Sequence, residues 1–580
     1  MTKPKIKSEL EPLFRPRSVA VVGATNNLTK WGFSTFASLK GRYRGPLYPV
    51  NGRGGEVQGH PACARITDAP RPVDLAVIVV PAGQVAPVMK DCVQKGVKAA
   101  VVITAGFAET GPAGKALQDE VMQIARGGGI RVVGPNCMGM WSAAADLSAF
   151  MFPLPIMAGP LALVSQGGNV GGALVVDAVT RGIGFTHYVS CGCAADIPIE
   201  DYVEYFADDD EVKVIMVYIE GLDDGQRFVE KVRRVTVRKP VLALKPGRTA
   251  AAARAISSHS GAMSGADRVY DAAFKKAGVL RVDSTLELLD TALGLITQPL
   301  PKGRNVVITT PGGSYGVMCA DACASRGLTV IDLPSRVMDS FDAMFPARWS
   351  HGNPVDPAGD RNFVPYLKAP EMLLACPEVD ALIFMGFGSF SGISAMLASA
   401  GGEINKGLAR MTERIEGLET MARSFAAMLD SGDRAKIKQV VRAGMLFMFG
   451  SVMASKDHEL TDFFDLVSDA MTSERMLKST FFTGLRELFD SIARGRIDGE
   501  KMAGIMTLME PMLSALIQHW IEKYGKPVIT TTFTEEMSKL TENGHFSYSN
   551  AERAASVLAK LVEYREFLEQ AEETGEENHG

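Results

Sequence analysis

Leu161-Ala162-Leu163-Val164-Ser165-Gln166-Gly167-Gly168-Asn169-Val170-Gly171-Gly172-Ala173-Leu174 decides how this chain is read. The run spells a strand, a glycine turn and a helix. Glycine loses more backbone freedom on folding than any other residue, so a compact cluster of glycines usually has a reason, such as the close approach of a ligand. Free N–H groups and the helix dipole at the start of the helix after Gln166 favour an anion, and a phosphoryl group fits there. The alternative is a tight strand-to-helix turn with no ligand.

The same pattern occurs upstream. Ser18-Val19-Ala20-Val21-Val22-Gly23-Ala24-Thr25 is a strand ending in a glycine turn, and Lys30-Trp31-Gly32-Phe33 opens a helix. Apolar runs at 75–80, 99–103 and 130–133 are separated by helix-length segments. Strands alternating with helices imply a parallel sheet covered on both faces. A nicotinamide-dependent oxidoreductase is disfavoured by two details. The Gly23 to Gly32 spacing is not G-x-G-x-x-G, and the second strand ends at Asn51 rather than at an acid for the ribose. By itself this region indicates a nucleotide-like ligand.

Composition sets the bounds. With 580 residues the chain is too long for one core, and three or four domains are expected. Apolar content of 46% and charged content of 22% suit a soluble globular protein. A net charge of −5 gives no reason to expect nucleic acid. The eight cysteines lack closely paired spacings, which points to reduced thiols in the cytoplasm. Cys191 and Cys193 have no second pair, so no metal site is expected. Residues 1–12 lack the apolar core of a signal peptide, and no uncharged apolar run reaches the roughly 18 residues of a membrane span.

Downstream, the strand at 214–218 runs into Ile219-Glu220-Gly221-Leu222-Asp223-Asp224-Gly225. A second strand, 241–244, leads through Lys245-Pro246-Gly247-Arg248 to Arg254-Ala255-Ile256-Ser257-Ser258-His259-Ser260-Gly261-Ala262-Met263-Ser264-Gly265. Small residues surround a single imidazole beyond a strand's carboxyl end, where open α/β sheets place ligands. Neutral imidazole is a competent nucleophile near physiological pH. If both strands share a sheet, Glu220 lies on the same rim and can fix the His259 tautomer. The alternative for His259 is a solvated histidine on a flexible loop.

Val80-Pro81-Ala82, Thr104-Ala105-Gly106-Phe107 and Gly134-Pro135-Asn136-Cys137 complete a set of strand ends. With them, the chain resembles the succinyl-CoA synthetase α subunits and the NDP-forming acyl-CoA synthetases. The resemblance implies that Gly23, Thr25, Lys30, Asn51, Pro81, Gly106, Asn136 and Cys137 line a CoA groove. It implies further that His259 is a phosphohistidine, Glu220 its orienting partner, and Ser165, Gln166, Gly167 and Gly168 its phosphate cradle. The family's usual loop has threonine after the histidine; Ser260 keeps the hydroxyl.

The implied architecture is α/β: a Rossmann-like CoA-binding domain (1–147), a flavodoxin-like ligase domain (158–298) and a second flavodoxin-like domain (302–391 and 526–569). The third opens with the strand 305–310 and the turn Pro311-Gly312-Gly313-Ser314-Tyr315-Gly316. A helical insertion, 392–525, interrupts it and holds thirteen of the chain's 28 methionines. That segment reads either as a bundle packed on itself or as an adaptable apolar surface. The polar tail 570–580 is expected to be disordered. No segment remains for an ATP-grasp domain. The resemblance therefore implies an α subunit that interconverts acyl-CoA, NDP and phosphate with carboxylic acid, CoA and NTP. ATP or GTP, with Mg, would bind an ATP-grasp β subunit in a hetero-oligomer. The alternative is a non-catalytic CoA-binding scaffold or sensor that uses the insertion to bind a partner.

Overall fold

A computed structural model of the chain describes residues 5–249, 251–252, 267–359, 363–386, 418–450, 459–477, 480–494, 509–532 and 538–575. The chain divides into two compact units, Met1–Ala292 with Glu566–Gly580, and Leu293–Arg565.

The first unit holds two sheets. Val19–Val22 (β1), Leu47–Val50 (β2), Leu75–Ile78 (β5), Ala99–Val102 (β6) and Arg131–Val133 (β7) form a parallel sheet in the order β2-β1-β5-β6-β7. A short antiparallel ribbon, Glu56–Val57 (β3) with His60–Pro61 (β4), follows β2. Strands β1, β5 and β6 are buried along their whole length, as helices on both faces require. The strand order reverses between β1 and β5, so the crevice at their carboxyl ends is the topological switch point where such sheets bind ligands. Trp31–Arg42 (α2), Ala82–Lys95 (α3) and Pro112–Gly127 (α4) follow β1, β5 and β6.

The second sheet contains Gly139–Ser142 (β8), Leu147–Phe150 (β9), Leu161–Ser165 (β10), Phe185–Ser190 (β11), Val214–Tyr218 (β12), Val241–Leu244 (β13) and Leu280–Val282 (β14). Its order is β14-β13-β12-β10-β11-β8-β9. Five strands are parallel, and the β8–β9 hairpin adds antiparallel to β11. The sequence boundary at 147 falls inside that hairpin, whose two strands both join the second sheet. The reason is edge protection: β8 covers the open edge of β11, and Trp141 donates its indole N–H to the Phe185 carbonyl at 2.9 Å. Lys5–Phe14 (α1) packs Phe14 on Tyr205 and Phe206 of Ile199–Ala207 (α6), with ring centroids 4.5 and 5.5 Å apart. Leu10, Phe14, Val21, Val101, Val164, Val189 and Phe206 belong to one core shared by both sheets. That shared core fixes the two carboxyl edges relative to each other.

The second unit is built on Asn305–Thr309 (β15), Thr329–Val330 (β16), Ala381–Met385 (β17), Val528–Thr531 (β18) and Ser547–Tyr548 (β19), parallel in the order β16-β15-β17-β18-β19. Strands β17 and β18 pair directly although residues 386–527 lie between them. The described part of that intervening segment is helical, with helices such as Leu418–Asp430, Thr480–Ala493 and Met509–Tyr524. Ile437, Val467, Phe481 and Trp520 from this segment share a core with Phe341, Trp349 and Phe384 of the sheet layer.

The final helix runs Ala551–Glu573, so residues 570–573 are helical rather than part of a disordered tail. Ala571 is buried, which gives the last turn an apolar anchor. Among the described residues no helix is long and apolar enough to cross a membrane.

Candidate active site

The first sheet's carboxyl edge is shaped by close backbone approach. Gly23 has φ +99°, and a Cβ there would stand 2.4 Å from the Val79 carbonyl oxygen at the switch point. A Cβ on Gly32, in the first turn of α2, would stand 2.0 Å from the Gly23 oxygen. Only glycine at both positions lets the first turn of α2 pack against the turn that ends β1. Asn51 donates its amide N–H to the Ala24 carbonyl at 2.8 Å, and its Oδ1 accepts from the Arg53 N–H at 3.0 Å. Thr25 Oγ1 accepts from the Asn27 N–H, and exposed Lys30 precedes α2. The side chains of Asn51 and Thr25 thus support the turn that Gly23 begins.

A cleft of about 2150 Å³ opens between the edges of the two sheets. Of the residues expected at the site, it brings together Pro81, Asn136, Cys137, Gln166, Gly167, Gly168 and Glu220. Gly23, Thr25, Lys30, Asn51, Gly106 and Ser165 lie outside its lining. Pro81 caps α3, whose first amides have no side-chain partner. Asn136 sits at φ +55° after the cis Gly134-Pro135 bond, and its N–H donates to the Thr104 carbonyl at 2.9 Å. Cys137 is enclosed, and burial pushes its thiol up to about 12, so it is a packing group rather than a nucleophile.

Facing this rim is the turn into Gly168–Thr180 (α5). Ser165 is fully buried and donates its hydroxyl to the Gly167 carbonyl at 2.6 Å, so it shapes the turn from within. Gln166 has a role that its sequence did not disclose. Its Oε1 accepts from the N–H groups of Glu220 at 2.5 Å and Gly221 at 3.0 Å, and its Nε2 donates to the Gly221 carbonyl at 2.9 Å. One side-chain amide therefore ties the end of β10 to the end of β12. Glu220 is buried, and a Cβ on Gly167 would approach its Oε1 to 3.4 Å. The carboxylate and the glycine turn thus adjoin.

His259 lies outside the described residues, as do all of residues 253–266. The strand leading to it, β13, pairs in parallel with β12, so the chain enters the histidine segment beside the Glu220 turn. Lys245, at the end of β13, is buried, with its ammonium 4.6 Å from the centre of the Tyr270 ring and bonded to the Pro246 carbonyl at 2.6 Å. Burial and the charge of Arg281 lower its pKa, against the raising influence of Asp267 and Glu220.

Several lining residues were not singled out in the sequence. Glu109 Oε1 accepts from the N–H groups of Gly106 (2.6 Å) and Phe107 (3.1 Å). Burial alone would raise its carboxyl, but those bonds outweigh it and hold the group below its ordinary value. The acid three residues after a glycine turn was the available signal. Met138 also lines the cleft, pressed against the glycine turn: a Cβ on Gly168 would stand 2.6 Å from its sulfur. The floor carries ion pairs: Arg131 with Asp196 at 2.9 Å, and Arg227 with Glu200 and Asp201 at 2.5 and 2.6 Å. Arg131 lies on β7 and Asp196 in the loop between β11 and α6, so no local pattern announces that pair.

A parallel-sheet crevice that faces a glycine-turn helix with a buried acid beside it is suited to a phosphate-bearing ligand, as an acid–thiol ligase that handles CoA requires. Comparison with known proteins agrees. Residues 17–142 match a CoA binding domain, 158–295 a succinyl-CoA ligase like flavodoxin domain, and 305–403 a ligase-CoA domain. The chain is 41% identical over 374 residues to the acetate–CoA ligase (ADP-forming) II subunit alpha of Pyrococcus furiosus, covering 64% of this chain and 81% of that one. It is 40% identical over 378 residues to subunit alpha of the I enzyme of the same organism, covering 64% and 82%. Among solved structures, acetyl-coenzyme A synthetase 1 of Ca. Korarchaeum cryptofilum, in complex with phosphate and ADP, superposes with a TM-score of 0.70. It is 26% identical and matches over 97% of this chain and 98% of that one. The chain belongs to the ADP-forming acyl-CoA synthetase family, and it is an acid–thiol ligase that binds CoA. The non-catalytic scaffold reading is not favoured.

Proposed function

We propose that this chain is the CoA- and phosphate-handling subunit of its ligase and that His259 carries the phosphoryl group. The observation that carries the proposal is the single cleft in which the Pro81, Asn136 and Cys137 rim faces Gln166, Gly167, Gly168 and Glu220. CoA enters over the switch point of the first sheet, the part shaped by Gly23, Thr25, Lys30, Asn51 and Gly106. The uncapped amides at the start of α3 suit one of its phosphates. Inorganic phosphate sits on the N-terminus of α5, where free amides and the helix dipole favour an anion.

In the thioester-consuming direction, a phosphate oxygen attacks the thioester carbonyl. The C–S bond breaks, CoA leaves as the thiol, and acyl phosphate forms. Neutral His259 then attacks phosphorus, the P–O bond to the acyl oxygen breaks, and the carboxylate leaves. Glu220 accepts one imidazole N–H and stabilises the positive charge that the ring gains. The phosphohistidine passes its phosphoryl group to a nucleoside diphosphate, and the synthetic direction reverses each step. We assign the nucleotide, ATP or GTP with Mg, to an ATP-grasp β chain in a hetero-oligomer, because the two Pyrococcus furiosus relatives that this chain covers to 81% and 82% are alpha subunits. The domain limits follow the sequence reading: 1–147, 158–298, and 302–391 with 526–569, the last enclosing 392–525. Eight free cysteines suit a cytoplasmic setting.

The experiment is phosphoryl labelling of the purified chain with acyl-CoA and radiolabelled phosphate. An acid-labile label that disappears in His259→Ala, with CoA affinity unchanged by calorimetry, is the expected result. An acid-stable label, or one that persists in His259→Ala, would refute the assignment.

A further inference from the structure

The turn that carries Glu220 is held from a second side. Ladder bonding ends at Ile219, whose N–H donates to the Leu244 carbonyl at 3.1 Å. Beyond it Gln166 takes the N–H groups of Glu220 and Gly221, and the next amide, that of Leu222, donates to the Tyr270 hydroxyl at 3.3 Å. Three consecutive backbone amides are thus taken by two side chains distant in sequence. Tyr270 is buried on the helix Asp267–Ala277, one turn from Phe274, with ring centroids 5.9 Å apart. The buried Lys245 ammonium stands 4.6 Å from the Tyr270 ring centre, where the ring quadrupole attracts a cation, the more so out of water. Burial and Arg281 act against the charge on Lys245, while Asp267 and Glu220 favour it. Arg281, on β14, fastens the same helix. One guanidinium nitrogen reaches Asp267 at 2.5 Å and the Lys245 carbonyl at 3.5 Å, and the other pairs with Asp271. The segment that carries His259 follows β13 and Lys245, and the described chain resumes at Asp267. Both approaches to that segment therefore converge on Tyr270 and Arg281.

We propose that Tyr270 is a positioning residue for phosphoryl transfer to His259, its hydroxyl setting the Glu220 turn and Lys245 setting its ring. The proposal rests on the functional reading above, in which Glu220 accepts an imidazole N–H. Transfer between positioned groups tolerates little misplacement, and an error of 1 Å can cost about 100-fold in rate. Gln166 fixes the start of the turn, and a turn pinned at one end still pivots about that end. Tyr270 pins the other end at Leu222. Because it stands in the first turn of the helix that follows the histidine segment, it references the acid to that segment as well as to the sheet. The residue type matters: phenylalanine would pack alike but leave the Leu222 N–H without this acceptor. Neither Tyr270 nor Lys245 is among the residues that line the cleft, so neither is placed to touch CoA or the acyl group. Their effect falls on the transfer step and leaves thioester binding unchanged.

Single-turnover labelling of the full chain with acetyl-CoA and radiolabelled phosphate, alongside calorimetry with acetyl-CoA, tests the proposal. Tyr270→Phe loses only the hydroxyl and should lower the labelling rate about tenfold, with acetyl-CoA affinity unchanged. Lys245→Met keeps the apolar stem without the cation and should slow labelling in the same way. The doubly substituted chain should be no slower than the slower single variant, because Lys245 acts through the hydroxyl that Tyr270→Phe has already removed. An unchanged rate in Tyr270→Phe, or a rate that falls only as far as acetyl-CoA affinity does, would overturn the positioning role. Effects that multiply in the double variant would overturn the pairing of Lys245 with Tyr270. Should Lys245→Met fold poorly, the rate and affinity of Tyr270→Phe decide alone. An absent or acid-stable label in the unsubstituted chain would instead overturn the functional reading on which the proposal rests.

Discussion

Replacing Gln166 by leucine removes three hydrogen bonds at once: two accepted from the backbone of Glu220 and Gly221, and one donated to the Gly221 carbonyl. Leucine keeps comparable bulk, so the loss is mainly polar. Both residues of the turn are buried, and each orphaned backbone group costs about 1–3 kcal/mol. The turn borders a wide cleft, so water can reach part of it, and the total should fall near 2–4 kcal/mol rather than at the full sum. That energy is local, because the strands on either side keep their ladders. The amides of Glu220 and Gly221 should then exchange about 30- to 700-fold faster in the variant, at 1.4 kcal/mol for each factor of ten. Hydrogen exchange read on peptides spanning 219–222 is the assay, with the β12 interior as the internal control. Gln166→Glu keeps the acceptor oxygen but loses the donor and adds charge beside Glu220, so its protection should be intermediate. Unchanged exchange at 220 and 221 in Gln166→Leu would refute the claim that this side chain holds the acid's backbone. With His259 labelling as a second readout, Gln166→Leu should slow phosphorylation while leaving CoA affinity intact.

Gly32→Ala drives a Cβ into the Gly23 carbonyl, and backbone cannot yield as a flexible side chain can. The expected loss is about 3 kcal/mol, visible in thermal melts, together with weaker CoA binding. A melt unchanged within a degree would contradict the close approach of α2 to β1. His187 is buried, and its ring bonds Asp209 at 2.9 Å. Burial lowers its pKa below 6.5, while the hydrogen bond from His187 is the leading cause that holds Asp209 at about 2. A neutral ring donating from Nε2 to an ionised carboxylate accounts for both directions. Stability from the histidine is therefore present above pH 6.5 and lost as pH falls toward its lowered value; stability from Asp209 is lost only below about pH 4. Melting temperatures should decline from pH 7 to pH 5, and His187→Gln, which keeps the donor without titrating, should flatten that decline. An identical slope in the variant would exclude His187 as the group responsible.

Local pattern was enough for much of this protein. The strands 214–218, 241–244 and 381–385 fall where uninterrupted apolar runs placed them, because strands of a parallel sheet are buried on both faces and leave no room for polar residues. Gly23, Gly167 and Gly168 announced strand-to-helix turns because the tight geometry at each needs a residue without a side chain. Glu220 was legible as an acid at a strand's end. Its neighbours were not: that Gln166 grips its backbone depends on β10 and β12 being adjacent, although β11 lies between them in sequence. That the β8–β9 hairpin joins the second sheet was not legible, because its own residues resemble any short strands; the unfilled edge of β11 decides where they go. The ion pairs on the cleft floor join residues far apart in the chain, so they have no signature in sequence spacing. Periodicity and glycine placement report each residue's own backbone, and those the sequence determined. Which rims face each other across a cleft follows from how two sheets share one core, and that only the tertiary structure decides.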